Sequence, residues 1–164
     1  MNASKRRTQE LARWPEQVSV TLHWRTTLRS QKIWLASQKG PSILVGHSYA
    51  GVVISGAAND APNVQALVYI AAFGLDEGES IDALSKQGPA PAGAAAVLPP
   101  DEHGFLRIDR DGFPKAFAAD VDAVEARVMA AVQKPLRINS FTAKSGPPAW
   151  KHLASWYMVR PKTR

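Results

Sequence analysis

The stretch GPSILVGHSYAGVVISGAA, residues 40–58, decides the fold. It begins with a mostly apolar run over residues 42–46, which is typical of a buried strand. It continues with small and apolar residues over 49–58 that suit a helix, and an Asn-Asp pair then ends that helix. Because Ser48 falls between the two runs, the stretch predicts a strand, a sharp turn carrying a serine, and a helix.

The segment NVQALVYIAAF, residues 63–73, extends this pattern. Its β-branched and aromatic residues favour a second buried strand after the helix. Two strands joined through a helix form a crossover, and such a crossover implies parallel pairing. The sequence therefore predicts an α/β fold built on a parallel sheet.

Weaker signals lie on both sides of these two segments. Residues 18–22 alternate between apolar and polar as in a strand, and residues 26–37 are compatible with a helix. Farther along come a short helix capped by Ser80, a loop rich in Pro, Gly and Ala over residues 88–100, and a strand over residues 155–159.

A longer helix is predicted after Asp120, which is a suitable N-cap residue, and it ends before Pro135. Its apolar residues recur at helical spacing, so they predict one face that packs on a neighbouring surface. The residues of this face are Val121, Val124, Val128, Met129 and Val132.

Length and composition restrict the possible classes of protein. The 164 residues, 45% of them hydrophobic, are enough for one domain with a real core. The chain has no cysteine, which excludes disulfides, thiolate catalysis and cysteine-based zinc sites. No apolar run reaches the roughly 18 residues of a membrane span, and polar residues rather than a signal-peptide core follow the basic start. A cytoplasmic location, with no membrane partner, is the default expectation.

The formal net charge of +6 is unevenly distributed. Residues 41–150 hold 8 lysines and arginines against 12 aspartates and glutamates, so the positive charge lies at the two ends. We therefore divide the chain into an atypical basic segment over 1–38, a core over 39–159 and a basic tail over 160–164. Short basic clusters are usually solvated, so specific nucleic-acid binding is the weaker interpretation.

Ser48 has the surroundings of a catalytic nucleophile. A nucleophilic serine in an α/β sheet sits on a strand-to-helix turn, which exposes its hydroxyl and points the first helix amides at a developing oxyanion. Crowding in that turn requires small neighbours, and Gly46, Ala50 and Gly51 meet this requirement. Ala50 departs from the usual G-x-S-x-G pattern. A serine that only caps the helix is the alternative.

The stretches ILVGHSYAGVVISGAA and NVQALVYIAAFGLDEGES together resemble the α/β-hydrolase fold family, and more narrowly its small bacterial serine hydrolases and esterases. The resemblance covers residues 39–159, with a helical cap region over residues 80–145. It implies Ser48 as the nucleophile, the Tyr49 backbone N–H as an oxyanion donor and a small-molecule, ester-like substrate. Carbon–carbon lyase chemistry, which relatives of this fold also show, stays open. No residue set argues for a metal or another cofactor.

The resemblance also implies catalytic residues and strands that have no counterpart in this sequence. The family's acid follows the strand that here spans residues 155–159, and its histidine comes one strand later. The first strands and the oxyanion loop also have no counterpart, so we expect a partial hydrolase fold. Both ends have permissible codons that read in a shifted frame as family-like sequence, ALADDVA for residues 22–29 and MVSAKDE for the end MVRPKTR. The hypothesis is a chain truncated or frame-shifted at both ends.

None of the four histidines has a strong claim to be the catalytic base. His47 adjoins Ser48 but is expected to project away from the turn, in a packing or supporting role. His103 lies in a loop beside two acidic residues, and neither His152 nor His23 carries a motif.

Two classes of function follow from these features. The first is a serine-dependent ester hydrolase with impaired activity, since removing one member of a catalytic triad typically costs a factor of about 10⁴. The second is a non-catalytic hydrolase-fold remnant or interaction protein that self-associates through exposed sheet edges.

Overall fold

The computed structural model describes residues 24–90 and 93–159. In chain order the strands are β1 (Ser42–His47), β2 (Val64–Ile70), β3 (Phe105–Leu106), β4 (Leu136–Arg137) and β5 (Ala154–Met158). The helices are α1 (Trp24–Ser37), α2 (Ala50–Ala58), α3 (Ile81–Ser85), α4 (Phe113–Phe117), α5 (Ala123–Ala131) and α6 (Asn139–Thr142), with 3₁₀ turns at Ala94–Ala96 and Ala149–Lys151. None of the described helices is both long enough and apolar enough to cross a membrane.

Three strands form the main sheet in the order β1-β2-β5, and both strand pairs are parallel. Helix α2 connects β1 to β2, as the crossover prediction requires. A parallel pair needs such a connection because the chain must return to the opposite edge of the sheet before the next strand begins. The predicted α/β fold with a parallel sheet is confirmed.

The main core lies between this sheet and helices α1 and α2. Leu67 and Tyr69 of β2 are 0% and 2% exposed. The Tyr69 hydroxyl lies 2.6 Å from the Ser55 Oγ of α2, and Ser55 in turn donates to the Gly51 carbonyl oxygen at 2.9 Å. These bonds satisfy two buried hydroxyl groups and fix α2 against β2. Burial raises the pKa of Tyr69, and its hydrogen bond with Ser55 partly opposes that rise.

Helix α1 packs on α2 and corresponds to the helix predicted over residues 26–37. Its Leu35 is 1% exposed and belongs to the main core. Part of the segment set apart as atypical, residues 1–38, is thus joined to the core by apolar packing. The strand predicted over residues 18–22 and the tail 160–164 lie outside the described residues.

The opposite face of the sheet carries exposed apolar side chains. Val45 of β1 and Trp156 of β5 are 58% and 60% exposed. The strand register aligns both with Val68 of β2, so the three side chains lie in one row across the sheet. Ile43 and Met158 lie on the same face in neighbouring rows and are 64% and 62% exposed. The described residues therefore leave this face open to solvent.

Short elements between β2 and β5 make up the region predicted as the cap. The Ser80 Oγ accepts a hydrogen bond from the Ala83 N–H at 3.2 Å and caps α3, in agreement with the prediction. Strands β3 and β4 pair antiparallel, with Leu106 opposite Leu136. The sequence does not predict this pair, because two residues per strand are too few to show a period.

The predicted N-cap of the long helix in this region is wrong. The residue that caps α5 is Asp122 rather than Asp120. The Asp122 Oδ1 accepts hydrogen bonds from the N–H groups of Val124 at 2.9 Å and of Glu125 at 3.3 Å. Both aspartates are suitable cap residues, so the sequence alone does not decide between them.

The predicted buried face of α5 is also wrong for the residues within the helix, although Val121, just before the helix, does pack against a core cluster. Val128 is 57% exposed, whereas Ala126 and Ala130 are 1% and 6% exposed. The two alanines pack with Phe113 of α4 and with Ala118 in a second small core. Small side chains let the two helices approach closely, so the alanine side rather than the valine side faces α4. The other exposed valines of the predicted face are Val124 and Val132.

Candidate active site

Ser48 lies in the turn between β1 and α2 in a strained backbone conformation. Its φ is +52°, in the left-handed region that residues other than glycine rarely occupy. The Ser48 carbonyl oxygen accepts hydrogen bonds from the Gly51 N–H at 3.1 Å and from the Phe73 N–H at 3.0 Å. Gly51 belongs to α2 and Phe73 follows β2, so two elements hold the turn in place. Strain maintained by its surroundings is frequent at functional sites.

The glycines on either side of Ser48 allow close backbone contacts. A Cβ atom on Gly46 would lie 2.9 Å from the Ala50 carbonyl carbon, and one on Gly51 would lie 2.5 Å from the Phe73 carbonyl oxygen. Such distances are well inside van der Waals contact, so any larger residue requires the backbone to shift. Ala50, which departs from the usual pattern, is half-buried at the first position of α2.

Tyr49 follows Ser48 and precedes the first residue of α2. Its backbone N–H makes no hydrogen bond to any residue in the described part of the chain. Amides at a helix N-terminus lack intrahelical partners, so this group is available to an anionic oxygen near Ser48. Burial raises the pKa of the Tyr49 phenol, and the nearby Ser140 hydroxyl partly opposes that rise. The Ser140 Oγ itself is buried and makes no hydrogen bond of ordinary geometry.

Ser48 and Tyr49 line a cavity of about 230 Å³ beneath the cap region. We call it the Ser48 cavity. Most of its remaining wall is apolar, and two cationic residues, Arg107 and Lys134, complete it. A larger cleft of about 430 Å³ contains neither Ser48 nor Tyr49. The apolar residues of the Ser48 cavity include Val97, Leu106, Ile108, Phe117, Leu136 and Phe141.

The described histidines lie away from the Ser48 cavity. His47 is exposed at the end of β1, and neither His103 nor His152 lines the cavity wall. The His103 Nε2 lies 3.6 Å from a Glu102 carboxylate oxygen in an exposed loop. His23 lies outside the described residues. Within residues 24–90 and 93–159, no group of three or more histidine or carboxylate side chains is arranged to hold a metal ion.

Comparison with known proteins assigns the chain to a family. A sequence model of the alpha/beta hydrolase family matches residues 7–163, nearly the whole chain. The chain belongs to the alpha/beta hydrolase family. The turn that carries Ser48 joins β1 to α2.

Individual relatives agree with the family assignment. A carbendazim hydrolyzing esterase from Nocardioides sp. (strain SG-4G) is 38% identical over 84 residues, which are 51% of this chain and 34% of that protein. The structure of the pyrethroid hydrolase PytH aligns with a TM-score of 0.66 at 21% identity, over 87% of this chain and 61% of that one. An extracellular alpha/beta-hydrolase from a Paenibacillus species aligns with a TM-score of 0.67 at 16% identity, over 87% and 60%.

This alpha/beta hydrolase therefore spans about a third of the length of the esterase and about three fifths of each solved structure. At these identities the solved structures show a shared fold. Of the sequence-predicted site residues, Ser48 and Tyr49 form the turn, Gly46 and His47 lie at the end of β1, and Ala50 and Gly51 begin α2. The other individual residues of the cavity wall were not predicted, because they come from short elements between β2 and β5 that only the tertiary structure assembles.

Proposed function

We propose that this alpha/beta hydrolase is a serine esterase of small molecules, with Ser48 as its nucleophile. The observation that carries the proposal is the left-handed backbone of Ser48, held between a strand and a helix at the wall of a 230 Å³ cavity. That turn geometry is the one a nucleophilic serine uses in this fold. The esterase and hydrolase relatives support ester-like substrates of this site.

The proposed chemistry uses two groups of the protein, the Ser48 hydroxyl and the Tyr49 backbone N–H. The Ser48 Oγ attacks the ester carbonyl carbon, and the Tyr49 N–H stabilises the negative charge that develops on the carbonyl oxygen. The carbon–oxygen bond of the ester then breaks, and the alcohol leaves with the proton that Ser48 has lost. Water hydrolyses the resulting acyl-serine to the carboxylic acid and restores the Ser48 hydroxyl.

Removal of the proton from the Ser48 hydroxyl is the step of this scheme that has the least support from nearby side chains. Neither a histidine nor a carboxylate lines the described wall of the Ser48 cavity. Without a general base the serine hydroxyl is a poor nucleophile, and such a base typically contributes a factor of about 10²–10⁴. We therefore propose that this chain turns over slowly as it stands.

The test is covalent labelling with a fluorophosphonate probe, detected by intact mass. We expect labelling of the native chain, no labelling of Ser48→Ala, and no labelling of either protein after denaturation. Ser42→Ala is the matched control, because Ser42 is the first residue of β1, the strand that leads to Ser48, and does not line the cavity. Equal labelling of the original chain and Ser48→Ala, or no labelling of a chain shown to be folded, would contradict a nucleophilic role.

A non-catalytic interaction protein is the second candidate. The observation in its favour is the open sheet face, where Val45 and Trp156 are each more than half exposed. Parallel sheets normally have both faces covered, so an open apolar face favours association. Under this alternative the Ser48 turn has only a structural role, so the fluorophosphonate probe does not label Ser48. The chain instead binds a second copy of itself.

A further inference from the structure

A second, smaller pocket adjoins the Ser48 cavity. It has a volume of about 80 Å³ and shares five wall residues with that cavity, among them Arg107 and Lys134. It adds Arg110, which does not line the larger space. We call this smaller space the cationic pocket. Two of the shared residues are Arg107 and Lys134, so these cations border both the space that holds Ser48 and the cationic pocket.

The cationic pocket has an excess of positive charge. Its wall contains three cations, Arg107, Arg110 and Lys134, and no carboxylate. Only one of these cations has an ion-pair partner within the described residues, since the Arg107 guanidinium lies 3.6 Å from the Asp101 carboxylate. Two aspartates, Asp109 and Asp111, flank Arg110 in the chain, and Asp109 accepts a hydrogen bond from the Gly112 N–H at 2.8 Å. Two of the three positive charges are thus left without a carboxylate partner.

The backbone fixes where two of these cations lie. Arg107 directly follows β3, and Lys134 lies two residues before β4, so the antiparallel pairing of β3 with β4 brings them to the same end of the pair. The Arg107 carbonyl oxygen also accepts a hydrogen bond from the Leu98 N–H at 2.8 Å. The positions of both charges therefore depend on folded structure rather than on flexible tails.

We propose that the cationic pocket binds a small anionic group on the substrate while the ester carbonyl lies at Ser48. The preferred substrates are then esters that also carry a carboxylate, with a short hydrocarbon spacer against the apolar wall of the Ser48 cavity. This proposal rests on the proposed function, and it narrows the substrate class. It predicts affinity for half-esters of dicarboxylic acids over neutral esters of the same size.

The test measures binding to the Ser48→Ala variant of the full chain, in which hydrolysis cannot interfere. The ligands are the monomethyl esters of succinic, glutaric and adipic acid, each paired with the isosteric compound that has a terminal amide in place of the carboxylate. We expect the carboxylate of the best-fitting length to bind about fivefold tighter than its amide, since one or two partly exposed charge pairs contribute this much. High salt should remove most of the difference, because it screens charges at the protein surface.

Substitutions identify the charges responsible. Arg110→Gln combined with Lys134→Gln should abolish the preference for the carboxylate, whereas Lys115→Gln should retain it. Lys115 is an exposed cation on α4 that lines neither cavity, so its substitution controls for the loss of a positive charge elsewhere on the surface. Equal affinity for acid and amide at low salt, or a preference that survives the double substitution, would overturn the proposal. Failure of Ser48 labelling would leave this comparison unaffected, so the two proposals fail separately.

Discussion

At Ser48 the backbone is left-handed because its neighbours hold it there. The Ser48 carbonyl oxygen receives two hydrogen bonds, and the glycine at position 51 lets α2 approach the chain that follows β2. The Ser48 conformation and the close contact at Gly51 are therefore parts of the same packing arrangement. A Cβ atom added at Gly51 would contact backbone atoms, which cannot rotate away as a side chain can. It would therefore destabilise the whole turn.

We predict that Gly51→Ala destabilises the protein. Its new Cβ would lie 2.5 Å from the Phe73 carbonyl oxygen, so α2 must move away from β2. Overpacking of this kind typically lowers the free energy of unfolding by about 1–3 kcal/mol. The measurement is urea denaturation, with Gly40→Ala as the control because a Cβ at Gly40 meets no atom within 4 Å. Equal effects of the two substitutions would show that the close contact carries no energetic weight.

At the scale of elements, predictions succeeded where a long run of one residue class crosses one element. Such runs predicted strands β1 and β2 and helix α2, and therefore also the turn between β1 and α2 that contains Ser48. The buried face of α5 was predicted wrongly, because its valines have helical spacing whereas its alanines are the residues that pack against α4. The geometry around Ser48 and Tyr49 was predictable, because both residues belong to one local sequence motif. Arg107 and Lys134 were not, because tertiary pairing of β3 with β4 brings them together.

The N-cap of α5 offers a matched pair of substitutions. We predict that Asp122→Ala lowers the free energy of unfolding by about 1 kcal/mol, because the Asp122 carboxylate accepts two hydrogen bonds from backbone N–H groups of the first turn. Asp120→Ala should change it by less than about 0.5 kcal/mol, since Asp120 is exposed and does not cap α5. Chemical denaturation of both variants measures the difference. The opposite order would restore Asp120 as the cap.

At the scale of the whole molecule, the two faces of the sheet differ in how far the described residues cover them. Helices α1 and α2 bury the Leu67 side of the sheet, while the described residues leave the Trp156 side exposed. Strand β5 is also an edge of the described sheet, because β2 is the one described strand that pairs with it. An unpaired edge offers backbone N–H and C=O groups to another strand, and native proteins often protect such edges with lysine. Exposed apolar area and unpaired backbone groups thus coincide at β5.

We predict that the chain self-associates through this face and that Trp156→Lys weakens the association. A charge at the β5 end of the apolar row must be desolvated when two faces meet, so it favours the separate chains. Sedimentation velocity over a wide range of protein concentration measures the species present. Val132→Lys is the matched control, because Val132 is 66% exposed near the end of α5 and does not belong to the sheet. A chain that stays monomeric at every concentration would contradict the prediction, as would equal effects of the two lysines.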